Sequence, residues 1–145
     1  RFEDGSTAVH YSPLTGNTLR QILQGITAPA VRQALVERFG KFMAQLHQQG
    51  VYFRSLHLGN VLVLEDGEFG LIDLADLRIY PSSLSPSLRR RNLRHMQRYA
   101  SDRHWLFEDH FEALLQGYAA VASKSDVDNL HRHVLAGSPP AQAHR

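Results

Sequence analysis

At 145 residues, 43% of them apolar, the chain can bury one ordinary core and has no room for two full domains. It has no cysteine, which excludes disulfide stapling and thiolate zinc sites, and a net charge of +2 is too small to turn the whole surface into a nucleic-acid trap. The sequence holds neither a run of about 18 apolar residues nor a signal-peptide pattern, so it predicts a cytoplasmic protein whose membrane contact is at most peripheral.

The chain opens with Arg1 and runs into strand-like alternation over Ser6 to Tyr11, which predicts that the natural protein continues upstream. A turn at Pro13 to Gly16 follows, then a short helix with Asn17 or Thr18 as its cap. From Pro29 the apolar residues Val31, Leu35, Phe39, Phe42 and Leu46 recur at three and four, placing one stripe of a helix against a core. Pro29 suits its first turn and Gly50 its stop. Two apolar runs, Val61 to Leu64 and Phe69 to Asp73, flank a Gly-containing loop and predict a hairpin.

Pro81 to Pro86 resists regular structure. Beyond it, a helix over Ser87 to Tyr99 turns Leu88, Leu93, Met96 and Tyr99 inward and its arginines outward. Another opens near Ser101 or Asp102 and carries Phe107, Phe111, Leu114, Leu115, Tyr118 and Val121. Trp105 reads as a core anchor, His131 and His133 as surface residues, and 137–145 as a disordered tail.

The order of parts carries the chemistry. A long helix leads into FRSLHLGNVLV, Phe53 to Val63, then a tight hairpin, then Asp73 at the exit of its second strand. The hairpin brings Asn60 and Asp73 to one end. An amide oxygen beside a carboxylate suits a hard cation such as Mg²⁺, which takes few protein ligands and fills its shell with water and phosphate oxygens.

Leu46 to Val51, Arg54, Leu56, Asn60 to Val63 and Ile72-Asp73-Leu74 together resemble the C-terminal lobe of the protein-kinase-like superfamily. HYSPLTGNTL, LIDLADLR and the basic RRRNLRHM resemble the bacterial lipopolysaccharide core (heptose or Kdo) kinases and their toluene-tolerance and InaA-like relatives, over roughly Ala8 to Tyr99. The resemblance implies an α+β fold: a mainly helical kinase-like lobe over residues 1–136, beginning at a hinge strand, with a small hairpin carrying the site. It implies ATP and Mg²⁺ as cofactors, metal ligation by Asn60 and Asp73, and a structural role for Arg54. Leu14 and Gly16 would belong to the hinge beside the adenine. The acceptor would be a sugar or lipid-linked hydroxyl, as on a lipopolysaccharide core, met near the inner membrane.

Departures from the family pattern sharpen the reading. Phe53 and Ser55 stand where the superfamily has His and the catalytic Asp, and Ala75 replaces a glycine. The Gly-rich loop, the strand lysine and its helix glutamate would lie upstream of Arg1. A serine hydroxyl is a poor proton acceptor, and a general base contributes about 10²- to 10⁴-fold. The expectation is therefore a slow kinase or one with a displaced base, with His57 as the nearest candidate; the rival is a pseudokinase that binds or regulates without transfer. Asp76 reads as a turn residue. Arg91, Arg94 and Arg98 share a face that would meet lipopolysaccharide phosphates or an acidic membrane surface, and no nucleic acid is expected.

Overall fold

The computed structural model describes residues 16–135. The strand predicted at Ser6 to Tyr11, most of the turn with Leu14, and the tail from Gly137 lie outside the described residues. Chain order is β1 (Asn17–Thr18), α1 (Leu19–Gly25), α2 (Pro29–Gln48), β2 (Val51–Phe53), a 3₁₀ turn (Leu58–Asn60), β3 (Val61–Val63), β4 (Phe69–Leu71), β5 (Leu77–Ile79), α3 (Pro86–Met96), α4 (Ala100–Asp102), a π-helical segment (Arg103–Asp109), α5 (Phe111–Ala119) and α6 (Lys124–His133). The fold is α+β, mostly helical, with two small antiparallel sheets, β1-β3-β4 and β2-β5.

Thr18 caps α1: its hydroxyl accepts from the Gln21 N–H at 3.1 Å, and the Gln21 side chain accepts from the Thr18 N–H at 3.0 Å, so two orphan donors of the first turn are satisfied. Helix α2 starts at Pro29 and stops at Gly50, as expected from the sequence. Its aromatic stripe packs on the hairpin, with the Phe69 ring 6.0 Å from Phe39 and 5.3 Å from Phe42. Val31 departs from the expectation and is 53% exposed, because the first turn of α2 runs past the edge of the core. The opposite side of α2 lies against α5 so closely that Gly40 faces the backbone of Leu114, and Gly117 faces that of Glu37.

The hairpin β3–β4 pairs Val61 with Leu71 and Val63 with Phe69, closed by a turn in which Asp66 accepts from the Glu68 N–H. Segment 80–84, irregular as expected, closes the end of α2: the Leu84 N–H donates to the His47 carbonyl at 2.9 Å and the Tyr80 N–H to that of Gly50 at 2.8 Å. Ser85 caps α3 through the Leu88 N–H.

Other features also differ from the predicted elements. Arg89, expected outward, is 2% exposed and bonds the Leu84 carbonyl and the Tyr118 hydroxyl. The single helix predicted from Ser101 breaks at His110 (φ −130°, ψ 33°), where a π-helical turn meets α5. Helix α6 has no predicted counterpart, since Val127 and Leu130 are its sole large apolar residues, too few for a periodic signal.

Candidate active site

Leu56 and Leu58 are fully buried, while Ser55 and His57, which alternate with them, are half-buried. This alternation nails the loop to the core by its leucines and presents the serine and histidine on the other side. Two buried polar groups hold the loop backbone from outside. Asn92 Nδ2 on α3 donates to the Phe53 carbonyl at 2.9 Å, and Asp102 Oδ2 accepts from the Leu58 N–H at 2.7 Å. Asp102 is wholly buried and is also engaged by Arg20, whose Nε and Nη2 both donate to its Oδ1. Burial pushes its carboxyl pKa up, opposed by the Leu58 N–H and the Arg20 guanidinium.

Behind the loop, hydrogen bonding runs in one direction. Because Asn92 Nδ2 donates to Phe53, its Oδ1 is the acceptor for His47 Nε2–H at 2.9 Å. His47 Nδ1 therefore accepts from the Tyr118 hydroxyl at 2.7 Å, and the Tyr118 oxygen accepts from Arg89 Nη1 at 3.0 Å. Arg89 in turn lies 3.6 Å from Asp126 on α6. The chain ties α2, α3, α5 and α6 to the residue preceding the loop.

His57 is fixed equally firmly. Its Nδ1 accepts from the Gly59 N–H at 3.0 Å and from Arg20 Nη2 at 3.1 Å, and its ring stacks on Tyr99 at 4.5 Å. Both partners can donate only, so the neutral ring carries its proton on Nε2. Burial, then Arg20, hold its pKa below the usual value, against the opposing charges of Asp102 and Asp73. A neutral ring with its lone pair occupied has none to offer a substrate proton, which counts against the base role expected from the sequence. Its remaining N–H is a donor.

Asn60 is 4% exposed; its Oδ1 accepts from the His57 N–H at 3.1 Å and its Nδ2 approaches the Ser55 carbonyl at 3.4 Å. The Ile72 N–H donates to the Asn60 carbonyl at 3.0 Å, which extends the hairpin register by one pair and sets Asp73 at the same end as Asn60. Asp73 has φ 61°, the one non-glycine with positive φ among the described residues. It is exposed and makes no hydrogen bond or ion pair with any described residue. A carboxylate in left-handed backbone with no protein partner is a pattern found at ligand sites. No group of three or more His, Cys, Asp or Glu able to hold a metal occurs among the described residues. The donor set is thus one amide oxygen with a spare lone pair and one carboxylate, which fits a Mg²⁺ arriving with nucleotide phosphates and does not fit an all-protein cage.

Ser55 has a partner that the sequence did not reveal. Its hydroxyl donates to Asp76 Oδ1 at 2.8 Å. Asp76 also forms part of the wall of a cleft of about 720 Å³, together with Tyr52, Arg54, Arg78, Arg91 and His95. Arg54, expected to steady the loop, is exposed on this wall and bonds no described residue; Arg20, Asn92 and Asp102 do that work instead. Beside the cleft, Arg91, Arg94 and Arg98 line one depression of about 360 Å³ with Arg90, so the three do share a face. Arg94 reaches the His133 carbonyl and Arg90 the Asn129 side chain at 2.7 Å, which commits part of that basic face to α6. Gly16 lies at the other end of β3, where a Cβ would sit 2.4 Å from the Val63 carbonyl oxygen.

A helical lobe carrying a hairpin with an amide and a left-handed aspartate at its open end is consistent with a partial kinase-like lobe. The sequence model of the Lipopolysaccharide kinase (Kdo/WaaP) family matches residues 17–118, and the chain belongs to that family. Compared with curated proteins, the chain finds no significant match. Membership supports kinase-like phosphotransfer at the level of the family, with a nucleotide and a lipopolysaccharide-type substrate in general terms.

Proposed function

We propose that the protein transfers the γ-phosphate of ATP to a hydroxyl on an acidic, sugar-containing lipid of the lipopolysaccharide type. The observation that carries this reading is Asp73: a carboxylate without a hydrogen-bond or ion-pair partner among the described residues, held at φ 61°, at the hairpin end it shares with Asn60. Asn60 and Asp73 would hold Mg²⁺, which when bound neutralises the phosphate oxygens and positions the transferred group. Gly16 and the preceding Leu14 would border the adenine. Gly16 abuts the Val63 carbonyl next to the Asn17–Val63 pair, three residues along the strand from Asn60, and that is about 10 Å at the usual strand rise, room for the ribose and phosphates between the two ends. His57 would donate its Nε2–H to a phosphate oxygen rather than act as base. Arg91, Arg94 and Arg98 would neutralise anionic groups of the acceptor, and the protein would then work peripherally at the cytoplasmic face of a membrane. No helix among the described residues is long and apolar enough to cross one.

A second reading has its own observation: Ser55 in place of the loop carboxylate describes a pseudokinase that binds nucleotide without transfer. Titration of the natural full-length protein with ATP separates the possibilities. Asp73→Ala is expected to weaken binding by about 30-fold or more, roughly 2 kcal/mol, when Mg²⁺ is present, and to change it little when Mg²⁺ is chelated. Equal binding by both proteins in Mg²⁺ would remove the metal site. Binding that is lost in Asp73→Ala, without transfer by wild type to any acceptor, would favour the pseudokinase.

A further inference from the structure

The bond between Ser55 and Asp76 joins the two halves of the site. Ser55 occupies the loop position at which a phosphotransfer loop needs a carboxylate, and Asp76 brings a carboxylate to that position from the turn before β5. The serine can donate through its hydroxyl but is a poor acceptor of a substrate proton. Asp76 Oδ1 takes the serine hydrogen, and its other oxygen makes no hydrogen bond with a described residue. Asp76 is half-buried and lines the 720 Å³ cleft, whose other charged and titratable groups are Arg54, Arg78, Arg91, His95, Tyr52 and Tyr80. Its charge reaches His95 across that space. The guanidinium groups suit an acceptor bearing phosphate or carboxylate, and the carboxylate among them suits the hydroxyl such an acceptor presents.

We propose that Asp76 is the displaced general base of this protein, held at the catalytic position by the Ser55 hydroxyl and facing the cleft that receives the acceptor. The inference rests on the phosphotransferase reading above. In the step, the acceptor hydroxyl gives its proton to the Asp76 carboxylate as its oxygen forms a bond to the γ-phosphorus of ATP. The bond from that phosphorus to the β,γ-bridging oxygen breaks, and ADP leaves with the electron pair. The carboxylic acid then releases its proton to water. Ser55 is a positioning residue, since it acts through Asp76.

The test uses the full-length protein, radiolabelled Mg-ATP and purified bacterial lipopolysaccharide as acceptor, with hydrolysis by water measured in parallel. Asp76→Asn keeps a hydrogen-bond acceptor for Ser55 but removes the base. It is expected to lower kcat by about 10²- to 10⁴-fold while nucleotide affinity stays within about twofold. The double variant Ser55→Asp with Asp76→Ser moves the carboxylate to the other side of the same bond, and should recover at least about tenfold over Asp76→Asn. A purely structural Asp76 would not give that recovery. Transfer by Asp76→Asn within about threefold of wild type, an inactive exchange variant, or loss of nucleotide binding in Asp76→Asn would each overturn the proposal. Absence of both transfer and hydrolysis in wild type would overturn it together with the phosphotransferase reading, whereas wild-type transfer with an unaffected Asp76→Asn would overturn it alone.

Discussion

Gly117→Ala is expected to lower the free energy of unfolding by about 2 kcal/mol or more, enough to shift the folding equilibrium roughly 30-fold. Helix propensity argues the other way: alanine in a helix interior gains about 1 kcal/mol over glycine. Geometry decides the sign. A Cβ on Gly117 would fall 1.7 Å from the Glu37 carbonyl oxygen and 2.9 Å from the Lys41 nitrogen, both backbone atoms of α2, so no side-chain rotation relieves the clash. Helix α5 must back away from α2, opening the packing around Phe39, Met43, Leu114 and Tyr118. Overpacking costs about 1 to 3 kcal/mol where neighbours can yield, and here they are main chain. Gly25→Ala is the control, since nothing lies within 4 Å of a Cβ there and the change should be neutral or slightly stabilising. Urea unfolding of the three proteins measures both; equal midpoints for wild type and Gly117→Ala would mean that α2 and α5 do not pack in this register.

The second large effect is on stability against pH. Burial holds the pKa of His47 at about 4, well below the usual 6.5, aided by the charge of Arg89 and opposed by its bond to Asn92. The direction has a structural cause. Protonating Nδ1 would leave the Tyr118 hydroxyl hydrogen without its acceptor, beside a guanidinium already donating to the same oxygen. Above pH 6.5 the ring is neutral in folded and unfolded chains, and its contribution is constant. Between 6.5 and about 4 the unfolded chain takes up a proton that the folded protein refuses, so stability falls as the pH falls. The loss reaches about 3 kcal/mol and levels off below pH 4. His57, His95 and His110 are shifted in the same direction, so the measurement is a difference. His47→Gln should be less stable at pH 7, and its unfolding free energy should change less with pH than that of wild type by this amount. Parallel curves would show that His47 titrates normally.

These two predictions bear on function through one route. The loop that carries Ser55 and Asn60 is anchored by Leu56 and Leu58, and its backbone is further fixed from the helices behind it. The His47, Asn92 and Tyr118 relay ends on the Phe53 carbonyl, and the Arg20–Asp102 pair ends on the Leu58 N–H. A separation of α2 from α5, or a charge on His47, disturbs the backbone on the first of these paths. Polar residues set on rigid elements hold a site more closely than a loop can hold itself.

By itself, the sequence determined what local order can encode. Apolar spacing of three and four marked α2, the Gly-containing turn between β-rich runs marked the hairpin, and the capping choice at Thr18 lay within one residue of the alternatives. Antiparallel pairing then requires Asn60 and Asp73 to share an end, which is why that juxtaposition was legible from the sequence. Tertiary structure alone decided the rest. Ser55 meets Asp76 across 21 residues, Asn92 meets Phe53 across 39, and Arg20 meets Asp102 across 82, and no periodicity links residues so far apart. Arg89 is buried because four partners on separate elements converge on it, a circumstance its own helix does not record. Helix α6 is held by Leu130 and Val134 against a core assembled elsewhere, and His110 breaks a run whose apolar pattern continues through it. Periodicity reports which side of an element faces inward; which polar group waits there is settled when distant segments pack and each buried donor has to find an acceptor.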